Sequence, residues 1–323
     1  MFRSLLVTAI LALFATTATA HHNWSAIYDV NSDIEIEGVI SAIEWRNPHI
    51  RVSFTVDGGA ANEKIYTTES NSVSSLTRMD VTSDLLAVGT QVRVAGYRSR
   101  TSDTDIFMNH LLLPSNREVI FLRTAESRWP DANRIGSSAA LHGGVVEDDV
   151  SKRPTSIFAV WNTIYGAQGS HQSLKFDGVN TGLEYLSEQI SNNCAVKDLW
   201  VAMGTPYPIQ LIDNGATVII HAEEFDTIRT VYMNVDHNDP GTNRTNLGYS
   251  TGRIIAGTLA VTTTFEGNGS SLQMHETFHL SADHNRLEYT QNLIDPDSSE
   301  LPIVNRKWWQ YLPGGFVQPY DCV

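Results

Sequence analysis

Cysteine is nearly absent from this sequence: two residues, Cys194 and Cys322, in 323. No CxxC occurs, which excludes a dithiol redox centre or a thiolate zinc knuckle of the usual spacing. Basic residues are also few, 22 against 36 acidic, and the formal net charge of −14 makes nucleic acid a poor partner. No apolar run long enough to span a bilayer follows residue 20, so stable membrane insertion through a helix is not expected. GxSxG, a P-loop, a GxGxxG opening a helix and an EF-hand loop are missing as well, and with them the commonest hydrolase, nucleotide and calcium readings.

What is present begins with an export signal. Arg3, an apolar stretch from Leu5 to Ala15 and the small pair Ala18-x-Ala20 read as a signal peptide over 1–20. The mature chain, opening on His21, is then expected in the periplasm or outside the cell. In an oxidising compartment two cysteines most simply form one disulfide, Cys194 to Cys322. Closing a loop of that size stabilises by roughly 4–5 kcal/mol on the chain-entropy model.

About 300 mature residues suggest two domains. Over 21–123 the runs IEIEGVISAIEW, HIRVSFTV, EKIYTT, TQVRVAGYR and DIFMNHLLL read as strands, with Gly38 at a bulge. One helical stretch, SVSSLTRMDVTSDLLAVG, falls between the third and fourth. Three strands, a helix and two strands predict an OB-fold-like barrel. Residues 124–156 lose periodicity and read as a linker or an irregular connection. From 157 to 323 a short helix, TGLEYLSEQISNN, precedes eight strand runs, IQLI, TVIIHAEEF, IRTVYMNV, LGYSTGRII, TLAVTTTFE, LQMHETFHLSA, RLEYTQNLID and IVNRKWWQYL. Short Asn, Gly and Asp turns join most of them, which predicts an antiparallel lipocalin-like β-barrel, with a β-sandwich as the alternative. The fold class is therefore mainly β.

The sharpest apparent motif is His275-Glu276-Thr277-Phe278-His279, an HExxH. That signature binds zinc only on a helix, where residues four apart share a face. Here it lies in a strand, so His275, Thr277 and His279 share one face and Glu276 takes the other. That face is either lumen or solvent. In the lumen, His275 and His279 would join His221 and Glu223, with Arg229, Tyr232, Tyr249, Arg253 and Tyr289 from neighbouring strands, as a polar site in an apolar cavity. His279 or His221 would carry the proton and Arg229 or Tyr249 would hold an oxyanion. On this reading His279→Ala removes activity or ligand retention without changing the melting temperature much, and Glu276→Ala does neither.

HHNW after residue 20, EGVISAIEWRNPHIRV, WNTIYG, PYPIQ, EEFDTIRTVYMN, GYSTGR and LAVTTTFEGN resemble a poorly characterised family of exported bacterial proteins. Its members carry HHSW, Trp-x-Asn-Pro-His and, later, PYPIEF and Gly-Tyr-Ser-x-Gly-Arg. The resemblance implies weight on His21, His22 and His49 in the first domain and on Glu224, Asp226, Arg229, Tyr249 and Arg253 in the second. Thr262 and Phe225 depart from an Asp and a Trp of the family pattern, and His275 stands where relatives place a serine.

Three readings follow. The first is a barrel that binds, and converts by acid/base chemistry of a lyase, isomerase or cyclase type, a small apolar molecule without an organic cofactor; a hydrolase is the runner-up. The second is a copper or zinc site at His21, His22 and His49, where the α-amine of His21 adds a ligand. The third is a non-catalytic envelope scaffold. Oligomeric state is left open. The disulfide gives a direct test: alkylation under denaturing, non-reducing conditions should find no free thiol, and two modified cysteines would refute the pairing.

Overall fold

The computed structural model describes residues 27–57, 63–122, 125–136, 150–162, 196, 198–205, 207–236, 246–265, 272–294, 303–311 and 315–322. The first sheet contains β1 (Tyr28–Glu44), β2 (Arg51–Val56), β3 (Lys64–Glu69), β4 (Gln91–Ser99), β5 (Asp105–Leu113), β6 (Arg117–Ile120) and β7 (Asn133–Ile135). Its order is β3-β2-β1-β4-β5-β6-β7, and β3 also pairs in parallel with β5. That extra pairing closes β1 to β5 into the expected OB-like barrel.

The long strand β1 serves two partners, β4 through its first half and β2 through its second. The bulge that lets it turn lies between Ile40 and Ala42, not at Gly38. Gly38 instead marks a close crossing, since a Cβ there would lie 2.9 Å from the Thr55 carbonyl oxygen. Ile40, Val52, Phe54, Val94, Met108 and Leu111 fill the core. The expected helix is shorter than its sequence suggested. Helix α1 (Val73–Thr77) is capped by the Ser72 hydroxyl, and the chain leaves it through Asp80 at φ 57, a left-handed geometry no helix continues through. Leu76 and Met79 are nevertheless fully buried. The segment 125–136 is not a free linker: β7 adds to β6 in parallel.

The second sheet is a closed barrel in the order β10-β11-β12-β13-β14-β15-β16-β8-β9. Its strands are β8 (Val160–Asn162), β9 (Ile209–Asp213), β10 (Thr217–Ala222), β11 (Thr227–Met233), β12 (Tyr249–Ile255), β13 (Thr258–Thr264), β14 (Gln273–Leu280), β15 (Arg286–Ile294) and β16 (Ile303–Tyr311). Closure removes the sandwich alternative, and the strand count rises from the expected eight to nine. Alternating direction around a ring requires an even number, so nine strands force one parallel pair. That pair is β11–β12. At this seam Gly252 is obligatory, because a Cβ there would sit 2.7 Å from a Val231 methyl. The helix expected at TGLEYLSEQISNN, and Cys194, lie outside the described residues.

The two barrels are joined by a buried latch. Arg78, just past α1, donates to both carboxylate oxygens of Glu223 at the end of β10, at 2.7 Å from Nη1 to Oε1 and by a shorter contact from Nη2 to Oε2. The Glu223 side chain is fully buried, and its Oε2 also accepts from the Gln318 backbone N–H at 2.9 Å. The C-terminal segment runs through the same junction. The Tyr320 N–H donates to Asp226 at 3.0 and 3.1 Å, and its carbonyl accepts from Asn47 Nδ2. Cys322 Sγ lies 3.7 Å from the Asn47 carbonyl oxygen.

Removing one member of a buried ion pair strands the other charge and costs about 3–5 kcal/mol, whereas replacing both with apolar residues is far milder. Arg78→Ala should therefore lower thermal stability by about that amount and Arg78→Met with Glu223→Leu by much less. Equal losses in thermal or urea unfolding would show that the pair does not couple the domains.

Candidate functional site

Period-two alternation decides what faces the barrel interior. On β14, Met274, Glu276 and Phe278 are buried while Thr277 and His279 are exposed. Met274 and Phe278 belong to the apolar core with Val218, Ile220, Val231, Val261, Leu287 and Trp309, so Glu276 points into the lumen. Arg229 on β11 is 2 % exposed and reaches it from the facing wall. Its Nη1 donates to Glu276 Oε1 at 3.0 Å and its Nη2 to Oε2 at 2.5 Å. Two further donors are used, Nε toward Ser250 at 3.0 Å and the second Nη2–H toward Thr263 at 2.7 Å.

The network continues into β15. The Tyr289 hydroxyl donates to Glu276 Oε1 at 2.8 Å and lies 3.0 Å from Gln291 Oε1. Burial, and then the Glu276 charge, push the Tyr289 phenol well above its ordinary range, so it stays a neutral donor. Glu276, Gln291 and Asn305 are successive cross-strand partners on β14, β15 and β16, a polar row across an otherwise apolar wall. Asn305 differs from its neighbours. It is 1 % exposed, and neither its Nδ2 nor its Oδ1 has a hydrogen-bond partner among the described residues.

Two residues further along the same face, Lys307 is half-buried. Its ammonium donates to the Thr205 carbonyl oxygen and lies 4.1 Å from the Trp309 ring centroid. Desolvation lowers it from the usual lysine value to about 7, against the opposing pull of Glu224.

Most residues expected at the site lie elsewhere. His275 and His279 are on the outer face, bonded to Thr262 at 3.4 Å and Thr258 at 2.9 Å, which corrects the lumen option for both. His221 also alternates with the buried Ile220 and Ala222, and its Nε2 is 3.9 Å from Asp226 Oδ1 at the junction. Glu223 is consumed by the latch, with Asp226 beside it and buried Glu224 next to both. Tyr232 and Tyr249 stack on each other outside the barrel, 5.2 Å between centroids. Arg253 is exposed, 3.9 Å from Asp236. Arg229 and Tyr289 alone of the set face inward together.

His49 donates from Nδ1–H to the Ser70 carbonyl oxygen at 2.8 Å. His21 and His22 lie outside the described residues. Among the described residues no group of three His, Cys, Asp or Glu side chains is arranged to hold a metal.

Sequence reasoning placed Glu276 on the face opposite the histidines and gave it no role, and passed over Gln291, Asn305 and Lys307. The signal was in the alternation: Glu276 shares parity with Met274 and Phe278, and Asn305 and Lys307 share it with Trp309. A polar residue in register with core residues marks the lumen side.

Residues 9–107 match a family of unknown function, DUF6152. A DUF6152 domain is thus found over β1 to β4 and the start of β5 of the N-terminal barrel. The match ends within β5 and does not reach the Arg229–Glu276 network. No curated protein matches the chain.

The geometry reverses the expectation for Glu276. Glu276→Ala would leave the Arg229 guanidinium buried and unpaired, and should destabilise by about 3–5 kcal/mol. His275→Ala and His279→Ala, on the outer face, should each stay within about 0.5 kcal/mol of the native protein. Chemical denaturation of the three variants checks this, and a silent Glu276→Ala would refute the lumen network.

Proposed function

We propose that the C-terminal barrel binds a small, largely apolar molecule carrying one hydrogen-bonding end group, and that it binds without converting it. Asn305 carries this reading. A buried amide with neither end satisfied costs about 1–3 kcal/mol per unmade group, a liability that a guest with both donor and acceptor character removes. The apolar residues of the barrel interior, Val261, Leu287 and Trp309 among them, suit an apolar body.

Binding is favoured over turnover by how fully the other polar groups are engaged. Glu276 is held by Arg229 and Tyr289, and Arg229 uses donors on Glu276, Ser250 and Thr263. The histidines expected to move protons face outward. An acid/base conversion of lyase, isomerase or cyclase type therefore has less support than simple retention of the molecule in an exported carrier. The scaffold reading keeps one specific observation in its favour: Asn47, Glu223 and Asp226, from motifs shared with the resembling family, meet at the interdomain latch.

Energy transfer from the buried Trp161 and Trp309 to the uncharged dye N-phenyl-1-naphthylamine provides the assay. Decanol should displace the dye more effectively than decane. Asn305→Leu should abolish that preference and raise the melting temperature by several degrees, because an unsatisfied buried polar group is replaced by an apolar one. A variant that melts lower and keeps the preference for decanol would overturn the proposal.

A further inference from the structure

The geometry points to Lys307 as a carbonyl-capturing amine: the barrel takes an apolar aldehyde or ketone and holds it as a reversible imine on Nζ. This deepens the ligand-binding reading above and rests on it.

The placement is unusual for a lysine. Lys307 follows Asn305 by two residues on β16, so both belong to the face that also carries buried Trp309. Two residues along a strand are about 6.6 Å apart, within the combined reach of an amide and a lysine side chain on one ligand. Lysine usually keeps its charged end in water or against a carboxylate. Here the ammonium rests on a backbone carbonyl and an indole face.

The Glu224 charge opposes the desolvation without cancelling it, and the cross-strand neighbour Tyr289 is a neutral phenol. With its proton held near neutrality, a substantial fraction of the amine is unprotonated and nucleophilic at pH 7. Asn305 supplies what the carbonyl needs, since its free Nδ2–H can donate to the oxygen under attack.

The chemistry balances without any redox partner. The Nζ lone pair attacks the carbonyl carbon, the C=O π pair moves to oxygen, and one N–H proton passes to that oxygen to give a carbinolamine. Loss of the hydroxyl with the second N–H hydrogen releases water and leaves the imine. Hydrolysis reverses each step.

Trapping tests it. The full-length mature protein is incubated with decanal and sodium cyanoborohydride, whose hydride reduces the imine carbon while water protonates nitrogen, and the adduct is located by peptide mapping. At pH 7 Lys307 should be labelled about tenfold or more faster than Lys64, Lys152, Lys175 or Lys197, because an amine held near neutrality is far more deprotonated there than one at the ordinary lysine value of ~10.4. That advantage should shrink as pH rises toward 10, where an amine of ordinary lysine basicity also loses its proton. The N-terminal amine, which also reacts near neutrality, is resolved by its own peptide. Lys307→Met, confirmed folded by circular dichroism, should lose the barrel adduct.

Labelling spread evenly over the five lysines, or absent from Lys307, overturns the inference. If decanol still displaces the dye in that case, only the carbonyl chemistry fails and the ligand-binding reading stands. If Lys307 is labelled selectively while neither decanol nor decanal displaces the dye, the amine is reactive but the lumen is not its source of ligand, and the inference fails with the reading it rests on.

Discussion

The Arg229–Glu276 pair sets the character of the second barrel. A carboxylate and a guanidinium in an apolar lumen are tolerable only as partners that also make further hydrogen bonds to their surroundings. The barrel meets that condition with residues from four strands, Arg229 on β11, Ser250 on β12, Thr263 on β13 and Glu276 on β14. Those strands include the one parallel seam of the barrel, β11–β12. Gly252 there leaves room for Val231, while Ser250 one step away along the inward face meets the guanidinium. The charge pair and the topological irregularity are thus neighbours, and the side-chain network spans a place where the backbone ladder is short.

Much of the fold was legible because period-two alternation survives in nearly every strand. The OB order followed from five runs and one helical stretch, and eight of the barrel strands were each visible as a run. The ninth was not. β8 has three residues, Val160 to Asn162, too few to show alternation, and its role is to complete a ring whose other members lie far away in sequence. Missing it also hid the parallel pair, since parity around the ring depends on the total. The split helix was misjudged for a local reason, because nothing in the spacing of Leu76, Met79 and Leu85 announces the left-handed Asp80.

The site was harder to read, and the reason is physical. Histidine, tyrosine and arginine in register on neighbouring strands draw attention to whichever face they occupy, and chemistry-rich side chains are equally at home on the solvated face. Apolar company is the better guide. His275 and His279 alternate with Met274 and Phe278, so the histidines had to face water once the barrel closed around the apolar set. The shared motif residues divide in the same way. Arg229 turns inward, whereas Glu223, Asp226 and Asn47 work at the junction, where a C-terminal segment beyond the last strand provides half of the contacts. Such a contact is invisible to any local pattern.

The polar row formed by Glu276, Gln291 and Asn305 changes in quality as it crosses the barrel wall. At Glu276 every interaction is accounted for, and Gln291 lies beside the Tyr289 hydroxyl. At Asn305 both ends of the amide are without a partner, and two residues along β16 comes a lysine whose proton is held only near neutrality. A fold selected for stability alone would place a leucine at Asn305, since an apolar residue there removes a desolvation cost and leaves no partner behind. Unsatisfied groups confined to one end of an otherwise complete network are the pattern of a site that sacrifices some stability for binding. The satisfied end fixes the geometry of the wall, and the unsatisfied end is where a guest would complete it.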